Sequence, residues 1–207
     1  MIGKGKSISH GVAALEYDLA KEINGQAVAT EIARHELYGC TGAEMVQEMK
    51  PYHIDFPNVK NNCLRFEVSP SIEESATFTD ADWAELGNDF MQRMGLANHQ
   101  YIIIRHSGTE SKKEQAHLHI LANRVSLSGE LYRDNWIGKK ATEAANAIAK
   151  ERNFVQSQDI GKVNKAEIKE AMDGVLKKMQ GFDFTKFKEE LGRRGFKVRE
   201  ARASTGK

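Results

Sequence analysis

The sequence predicts an α+β fold in which helices flank a central, mostly antiparallel sheet. Two kinds of pattern support this prediction. Short runs with alternating or continuous apolar residues indicate strands, and longer segments with apolar residues at helical spacing indicate helices. The 207 residues suffice for one large domain with a small appendage. We therefore expect a core over residues 1–155 and a helical extension over 156–207 that packs on it.

The first half of the chain is predicted to contain four helices and one strand. Helical spacing of apolar residues predicts three helices near the start of the chain: 10–23, 26–36 and 41–50. Alternation of apolar and charged residues then predicts a strand over 62–71. Thr79 followed by Asp82 is the pattern of a capped helix N-terminus, so we expect a helix over 79–96.

The second half begins with two predicted strands joined by a polar connection. The run 99–107 is almost wholly apolar, which is typical of a strand inside a sheet. It is followed by a strand over 116–125, and we expect the two to pair as an antiparallel hairpin. Beyond this hairpin, the segment 126–132 is predicted to form a turn at Ser128-Gly129 followed by another short strand. Three helices and a closing strand are predicted after it: helices 137–152, 165–179 and 184–195, and strand 195–202.

The composition is typical of a cytoplasmic protein. No apolar run approaches the ~20 residues of a membrane span, and the lysines at the N-terminus are followed by no apolar signal segment. Cys40 and Cys63 form no CxxC pair, so neither a disulfide framework nor a cysteine zinc site is expected. A reducing cytoplasm and no membrane partner are the expectations.

Charge is distributed unevenly along the chain. Residues 1–100 contain 8 Lys/Arg and 15 Asp/Glu, whereas residues 101–207 contain 22 and 14. Such asymmetry is a hint of a polyanionic partner. Charged faces of ordinary solvent-exposed helices would explain it equally well.

Three histidines are predicted to converge at one end of the hairpin. His117 and His119 share a face of their strand because side chains alternate, and His106 ends the neighbouring strand. A single histidine on an apolar strand is usually a hydrogen-bonded core residue, but three converging imidazoles indicate a divalent-metal site. Asn123 has the same parity, so it is expected either to orient a ligand or to cap a turn.

These residues resemble a known motif. "IIIRHSG" and "HLHILANRV" are similar to the third motif of relaxases, the mobilization nucleases of plasmids and transposons, through His106, the His-hydrophobe-His pair and the Asn123-Arg124 dipeptide. The chain start "KGKSISHGVAALEYDLAKE" resembles the family's opening, a strand followed by a helix that carries a tyrosine. The resemblance covers most of residues 1–155.

The resemblance implies both an activity and partners. A relaxase nicks one DNA strand at an origin of transfer through a tyrosine, forms a 5′-phosphotyrosine and later rejoins the strand. The metal implied is Mg²⁺ or Mn²⁺, although three imidazoles would also hold Ni²⁺ or Zn²⁺. The implied partners are single-stranded DNA with an adjacent hairpin, accessory mobilization proteins and the conjugative coupling machinery.

Tyr17 is the expected nucleophile. It matches the family position and lies off the apolar stripe of its helix, so it need not be a core residue. Tyr132 and Tyr38 are the rivals, Tyr132 because replication initiators place their tyrosine after the histidines. No general base is identified, and Glu16 and Asp18 are expected to be solvated.

Several basic and aromatic residues are expected to contact DNA. Arg124 and Arg105 are proposed to bind phosphate, with exposed strand charges as the alternative. The segments 137–140 and 192–202 suit phosphate tracking. Base-stacking residues could be among five phenylalanines: Phe154, Phe182, Phe184, Phe187 and Phe196. For Phe184 and Phe187, core packing is the better explanation. The C-terminal helices are then either a DNA clamp or a small packing unit.

Three other functions are compatible with the sequence. A rolling-circle replication initiator or a single-strand transposase would use the same chemistry, with a different tyrosine order. A non-catalytic metal-containing nucleic-acid-binding module would form no covalent adduct with DNA. A metal phosphoesterase would hydrolyse DNA with water and need no tyrosine.

Overall fold

A computed structural model of the protein describes residues 1–108 and 115–199. The chain divides into two compact units, Met1–Ser157 and Gln158–Lys207. The strands are β1 (Ile2–Ile8), β2 (Glu22–Ile23), β3 (Gln26–Ala27), β4 (Ala29–His35), β5 (Cys63–Ser69), β6 (His99–His106) and β7 (His117–Ser126). The helices are α1 (Gly11–Leu19), α2 (Gly42–Met49), α3 (Ile72–Ser75), α4 (Asp80–Arg93), α5 (Ile137–Glu151), α6 (Ser157–Leu176) and α7 (Phe184–Arg193).

Five strands form one antiparallel sheet in the order β1-β5-β7-β6-β4. The strand that carries two histidines, β7, is therefore the middle strand, and β6 lies beside it. This confirms the predicted α+β fold, the predicted hairpin and the interior position of 99–107. A separate two-stranded sheet contains β2 and β3.

The two faces of the sheet are covered unequally. On one face, α4 and α5 pack over an apolar core that includes Leu64, Phe66 and Ile120. On the other face, α1 and α2 cover a smaller core that includes Ile102 and Leu121. Because side chains alternate along each strand, the histidines of β7 share the second face, at the end where lysine side chains of β1 are exposed.

Helix α4 follows the predicted pattern. The Thr79 side chain accepts a hydrogen bond from the backbone N–H of Asp82, and the Asp82 carboxylate accepts one from Thr79 N–H. Such a reciprocal box satisfies two helix-end donors. The apolar stripe that begins at Trp83 and Leu86 is buried, which seats α4 on the sheet.

Small residues allow α5 to lie directly on strand β1. A β-carbon at Gly3 would lie 2.4 Å from the carbonyl oxygen of Ala141 and 2.6 Å from Cβ of Ala145. Thr142 Oγ1 also donates a hydrogen bond to the Gly3 carbonyl oxygen at 3.1 Å. Only glycine permits this backbone approach.

Two predictions are wrong in this part of the fold. The helix expected over 26–36 is instead β3 and β4. Asn24 and Gly25 both have positive φ values, 54° and 75°, which is the geometry of a tight hairpin turn, and the β-branched residues that follow alternate as in a strand. The strand expected over 195–202 is not found in the described part, 195–199, and residues 200–202 lie outside the described residues.

Within the described residues of the second unit, α6 and α7 pack through a small core of Ala171, Val175, Phe187 and Leu191. Helix α6 starts at Ser157, earlier than the predicted residue 165. Of the phenylalanines considered for DNA stacking, Phe154 packs against the core of the first unit, whereas Phe182 is exposed. Among the described residues, no helix is long and apolar enough to cross a membrane.

Candidate metal centre and nucleophile

The β6–β7 hairpin brings the three histidines together. His106 and His117 are direct partners across the hairpin, and His119 pairs with Ile104 two residues further. His106 and His117 are buried, with 2% and 7% exposure. In the described part of the chain, these three residues form the one group of His, Cys, Asp or Glu side chains arranged to hold a metal ion, with one ligand atom from each and all three atoms within 4.8 Å.

The spacing of the ring nitrogens fits a shared ion. The two Nε2 atoms of His117 and His119 lie 3.1 Å apart. Metal–nitrogen distances are roughly 2.0–2.1 Å, so two nitrogen ligands at about a right angle would lie ~3 Å apart. The donor set is three imidazoles, which suits divalent transition metals.

Burial keeps His106 and His119 neutral, which is the form that binds metals. Desolvation lowers the pKa of His119 to about 2, with a further contribution from the neighbouring His106 and His117. Burial also lowers the pKa of His106. Both rings therefore present a lone pair at neutral pH.

Backbone carbonyl oxygens orient two of the rings. Nε2 of His106 lies 2.7 Å from the carbonyl oxygen of Asp18, and Nδ1 of His117 lies 3.3 Å from that of Gln115. A carbonyl oxygen can only accept a hydrogen bond, so these ring nitrogens carry the protons. The other nitrogen of each ring is then free to bind a metal, and such outer contacts are known to tune metal ligands.

Asp18 is buried in the site, which corrects the expectation that it is solvated. The residue is 2% exposed, and its carboxylate accepts hydrogen bonds from Arg65 Nη2 at 2.5 Å and Arg65 Nε at 3.0 Å. Burial raises the pKa of Asp18, while Arg65 acts in the opposite direction. A bidentate pair of this kind fixes both groups in orientation.

The same carboxylate faces the third ring. For Nε2 of His119 to bind an ion, Nδ1 must carry the proton, and Asp18 Oδ1 is 3.9 Å from Nδ1. Arg65 Nη2 is 3.4 Å from the same atom and can only donate, so this contact favours the tautomer with the proton on Nε2, and ion binding at Nε2 would move that proton to Nδ1, toward the Asp18 carboxylate. The positive charge of Arg65 also helps to keep the ring neutral. Asp18 thus contacts His106 through its backbone and faces His119 through its side chain.

Tyr17 shares a cavity with the three histidines. The cavity has a volume of about 190 Å³, and its other lining residues are Lys21 and Gly108. Tyr17 is 56% exposed, in agreement with its expected position off the apolar stripe. Nζ of Lys21 donates a hydrogen bond of 2.5 Å to the Tyr17 hydroxyl and lies 4.7 Å from the ring centroid.

The other tyrosines considered as nucleophiles lie elsewhere. Tyr132 packs against the core on the α4/α5 side, and burial raises the pKa of its hydroxyl. Tyr38 is exposed, and its hydroxyl donates to the Glu36 carboxylate at 3.1 Å. Neither lines the histidine cavity. Glu16 is also directed away from it, since its carboxylate accepts a hydrogen bond from Ala43 N–H at 3.1 Å.

The structure does not bring Arg105 and Arg124 to the histidines. Both have the opposite parity on their strands, so their side chains leave the other face of the sheet. Arg105 forms an ion pair with Asp80 at 2.5 Å. Arg124 forms one with Asp134 at 2.7 Å and also donates to two backbone carbonyl oxygens.

Asn123 has the predicted parity but a structural role. It is fully buried, and its Nδ2 donates to Gln100 Oε1 at 2.9 Å and to the Met49 carbonyl oxygen at 3.3 Å. Its Oδ1 accepts from Val125 N–H at 3.0 Å and lies 2.6 Å from Nε2 of His53. These contacts use the whole amide, about four strand residues away from His119.

Comparison with known proteins supports a family assignment. Residues 17–154, about two-thirds of the chain, match the family described as "Relaxase: MobA/VirD2-like, nuclease domain". No curated protein sequence matches the chain.

Among solved structures, the chain is similar to a conjugative relaxase TrwC in complex with oriT DNA, described as metal-bound. The two share 10% identity and superpose with a TM-score of 0.45, over 98% of this chain and 93% of that one. A likeness this weak carries no argument, so the assignment rests on the family match alone. By the match over residues 17–154, the chain belongs to the MobA/VirD2-like relaxase family.

Proposed function

We propose that the protein nicks one strand of DNA at an origin of transfer by metal-assisted tyrosine transesterification and later rejoins it. The observation that carries this proposal is the shared cavity: the Tyr17 side chain and the imidazoles of His106, His117 and His119 line one space of about 190 Å³. A phosphodiester seated there would contact a nucleophile on one side and the histidine cluster on the other.

The reaction conserves the number of phosphodiester bonds. Oη of Tyr17 forms a bond to the scissile phosphorus, and the bond from phosphorus to the 3′-oxygen breaks. The phenol proton passes to water, which reaches this half-exposed side chain, and the leaving 3′-oxygen takes a proton. Attack by the 3′-hydroxyl on the 5′-phosphotyrosine reverses these steps and rejoins the strand.

The residues around the phosphate supply binding and charge. When held by the three histidines, a divalent ion such as Mg²⁺ or Mn²⁺ supplies positive charge beside the phosphate oxygens. Lys21 donates to the Tyr17 hydroxyl, so its ammonium group lies beside the oxygen that would attack the phosphorus. Asp18 and its partner Arg65 hold the imidazoles in orientation. Asp18 directly follows the nucleophile Tyr17 in the chain.

The substrate proposed is single-stranded DNA, with an adjacent hairpin that marks the nick site. Accessory mobilization proteins and the conjugative coupling machinery of a bacterial cytoplasm would complete the system. The C-terminal helices, α6 and α7, are proposed as a clamp on this DNA. A replication initiator is not favoured, because Tyr132 lies on the opposite side of the sheet from the histidines.

The test is adduct formation with DNA. The purified protein would be incubated with Mn²⁺ and labelled single-stranded oligonucleotides that tile both strands around its own gene, and the products would be separated on a denaturing gel. We expect a protease-sensitive, slowly migrating band that is lost in Tyr17→Phe. Tyr132→Phe is the matched control and should retain the band.

Two results would overturn the proposal. Loss of the band in Tyr132→Phe but not in Tyr17→Phe would assign the nucleophile to the other tyrosine. Cleavage without an adduct, preserved in both variants, would show that water is the nucleophile.

A further inference from the structure

Trp136 is an exposed aromatic residue held in an unusual backbone conformation. Its side chain is 80% exposed, although burial of a tryptophan contributes more to stability than burial of almost any other side chain. Its φ and ψ are 59° and 27°, in the left-handed region, and it makes no side-chain cap for α5. Bulky residues rarely adopt this conformation, and strained positions tend to occur at functional sites.

The surroundings of Trp136 are basic. Arg133 and Lys139 are exposed, the latter with its Nζ 3.8 Å from the exposed carboxylate of Glu143, and Lys140 lies with its Nζ 4.9 Å from the Tyr132 ring. The nearest acidic residue in sequence, Asp134, is held by an ion pair with Arg124 at 2.7 Å. Positive charge beside an exposed aromatic ring is the arrangement that binds single-stranded nucleic acid, with phosphates on the cations and a base on the ring.

A cavity leads from the histidine cluster to the edge strand β1. It has a volume of about 220 Å³ and connects His119 with the lysines of this strand, Lys4 and Lys6. Glu67 also lines this cavity and forms an ion pair with Lys4 at 2.8 Å, which a phosphate bound by Lys4 would have to replace. Cross-strand register places Lys4 beside Glu67 and Glu67 beside His119, so the edge is two strand spacings, or ~10 Å, from the histidine.

Helix α5 begins at this same edge strand. A β-carbon at Gly138, two residues after Trp136, would lie 3.5 Å from the carbonyl oxygen of Gly5. The lysines of β1 project to one side of the edge, and the start of α5 lies on the other. A DNA strand that crosses β1 would therefore meet Trp136 as it turns around the edge.

We propose that Trp136 is a stacking platform for a base of single-stranded DNA, with Lys4, Lys6 and Lys139 contacting the phosphates between it and the histidine cluster. This proposal rests on the proposed function in that DNA is the substrate. It adds the direction in which the strand leaves the nick site, across β5 and β1 toward the start of α5.

The experiment is a fluorescence titration of the intact protein with an oligothymidylate of roughly 20 nucleotides, longer than the ~4–16 nucleotides that such sites occupy. The chain contains two tryptophans, and Trp83 is only 2% exposed, so a base that stacks on the protein surface quenches Trp136. We expect quenching in the wild type. In Trp136→Ala we expect an affinity ~5- to 100-fold lower by anisotropy of a labelled oligonucleotide. Trp136→Phe, which keeps a ring, should recover most of it.

Tyr38→Ala is the matched control. Tyr38 is 76% exposed, but its hydroxyl and backbone N–H contact the carboxylates of Glu36 and Glu48, so its removal should leave DNA affinity unchanged. Equal affinity losses in the Trp136→Ala and Tyr38→Ala variants would overturn the proposal, as would absence of quenching in a wild-type protein that binds the oligonucleotide. A concentration-dependent dimer lost in Trp136→Ala, with unchanged DNA affinity, would also overturn it and assign the surface to a second copy of the chain.

The adduct gel separates this proposal from the proposed function. Quenching supports the stacking site even if the wild-type protein forms no adduct, or if the Tyr17→Phe variant still forms one. Either of these gel results would refute the nicking mechanism. An adduct without quenching supports the nicking mechanism and refutes the stacking site.

Discussion

Replacement of Asp18 by asparagine tests whether the buried carboxylate holds the metal centre together. The change keeps the size of the side chain and removes its charge. Arg65, with 19% of its side chain exposed, would then keep a mostly buried charge without its anionic partner, whereas Asp18 itself is 2% exposed. Breaking a buried pair by removing one partner costs ~3–5 kcal/mol.

We expect the lower end of that range for Asp18→Asn, ~3 kcal/mol, because the amide oxygen can still accept one bond from Arg65 and the arginine can rehydrate. For a chain of this size each kcal/mol lowers the melting temperature by ~2–4 °C, so the metal-free variant should melt ~6–12 °C lower. The affinity for Mn²⁺ should fall ~10- to 100-fold, because His119 Nδ1 loses the carboxylate that faces it.

Calorimetry gives both quantities, the melting temperature by scanning and the Mn²⁺ affinity by titration. The matched control is Asp80→Asn, whose ion pair with Arg105 has the same 2.5 Å distance but an aspartate that is 66% exposed. Exposed pairs contribute ~0–1 kcal/mol, and this aspartate is on the other face of the sheet. If the two variants lost the same stability, or if Asp18→Asn kept the wild-type Mn²⁺ affinity, the carboxylate would have no role in orienting the site.

Three other predictions follow from the packing and the charges. Gly3→Ala should destabilise the protein by ~1–3 kcal/mol through overpacking against Ala141, whereas Gly138→Ala, which meets its nearest neighbour at 3.5 Å, should be neutral or stabilising in urea unfolding; equal effects would contradict the close approach of α5. The pKa of His119 is lowered from 6.5 to about 2 in the metal-free fold. Below pH 6.5 the unfolded chain therefore binds a proton that the folded chain does not, so the stability present above pH 6.5 is lost as the pH falls. Stability should decrease by ~1.4 kcal/mol per pH unit below that point, and a slope unchanged in His119→Asn would refute the assignment. Tyr17→Phe should change the free energy of unfolding by less than ~0.5 kcal/mol, as expected for an exposed side chain, so that loss of the adduct in this variant cannot be explained by unfolding; a large drop in melting temperature would contradict that.

Local patterns predicted most elements of the fold correctly. Alternation located strands β5, β6 and β7, and the helix stripe with its capping residues located α4, because these periodicities follow from the backbone geometry of a single segment. The prediction of a helix over 26–36 was wrong because the turn signal of Asn24-Gly25 was not used. Such a dipeptide reverses the chain within two residues and favours a strand on each side.

Part of the site was also present in the sequence but was not used. Arg105 is adjacent to His106 on β6, and Arg124 is an odd number of residues from His119 on β7. Because side chains alternate along a strand, both arginines lie on the face away from the histidines. Asp18 is likewise seven residues after the buried Gly11, on the inward stripe of α1. A charged residue at an inward helix position needs a buried partner, and that was the signal for an ion pair.

The sequence by itself determined that two histidines share one face of β7 and that Tyr17 lies on a helix, since both facts depend on residues close together in the chain. Only the tertiary structure decided that this tyrosine reaches those histidines, and that Asp18 meets Arg65 beside them. The packing of α1 across the sheet brings together residues about a hundred positions apart in the chain, and that packing depends on the combined burial of side chains from several elements. No single segment's periodicity contains that information.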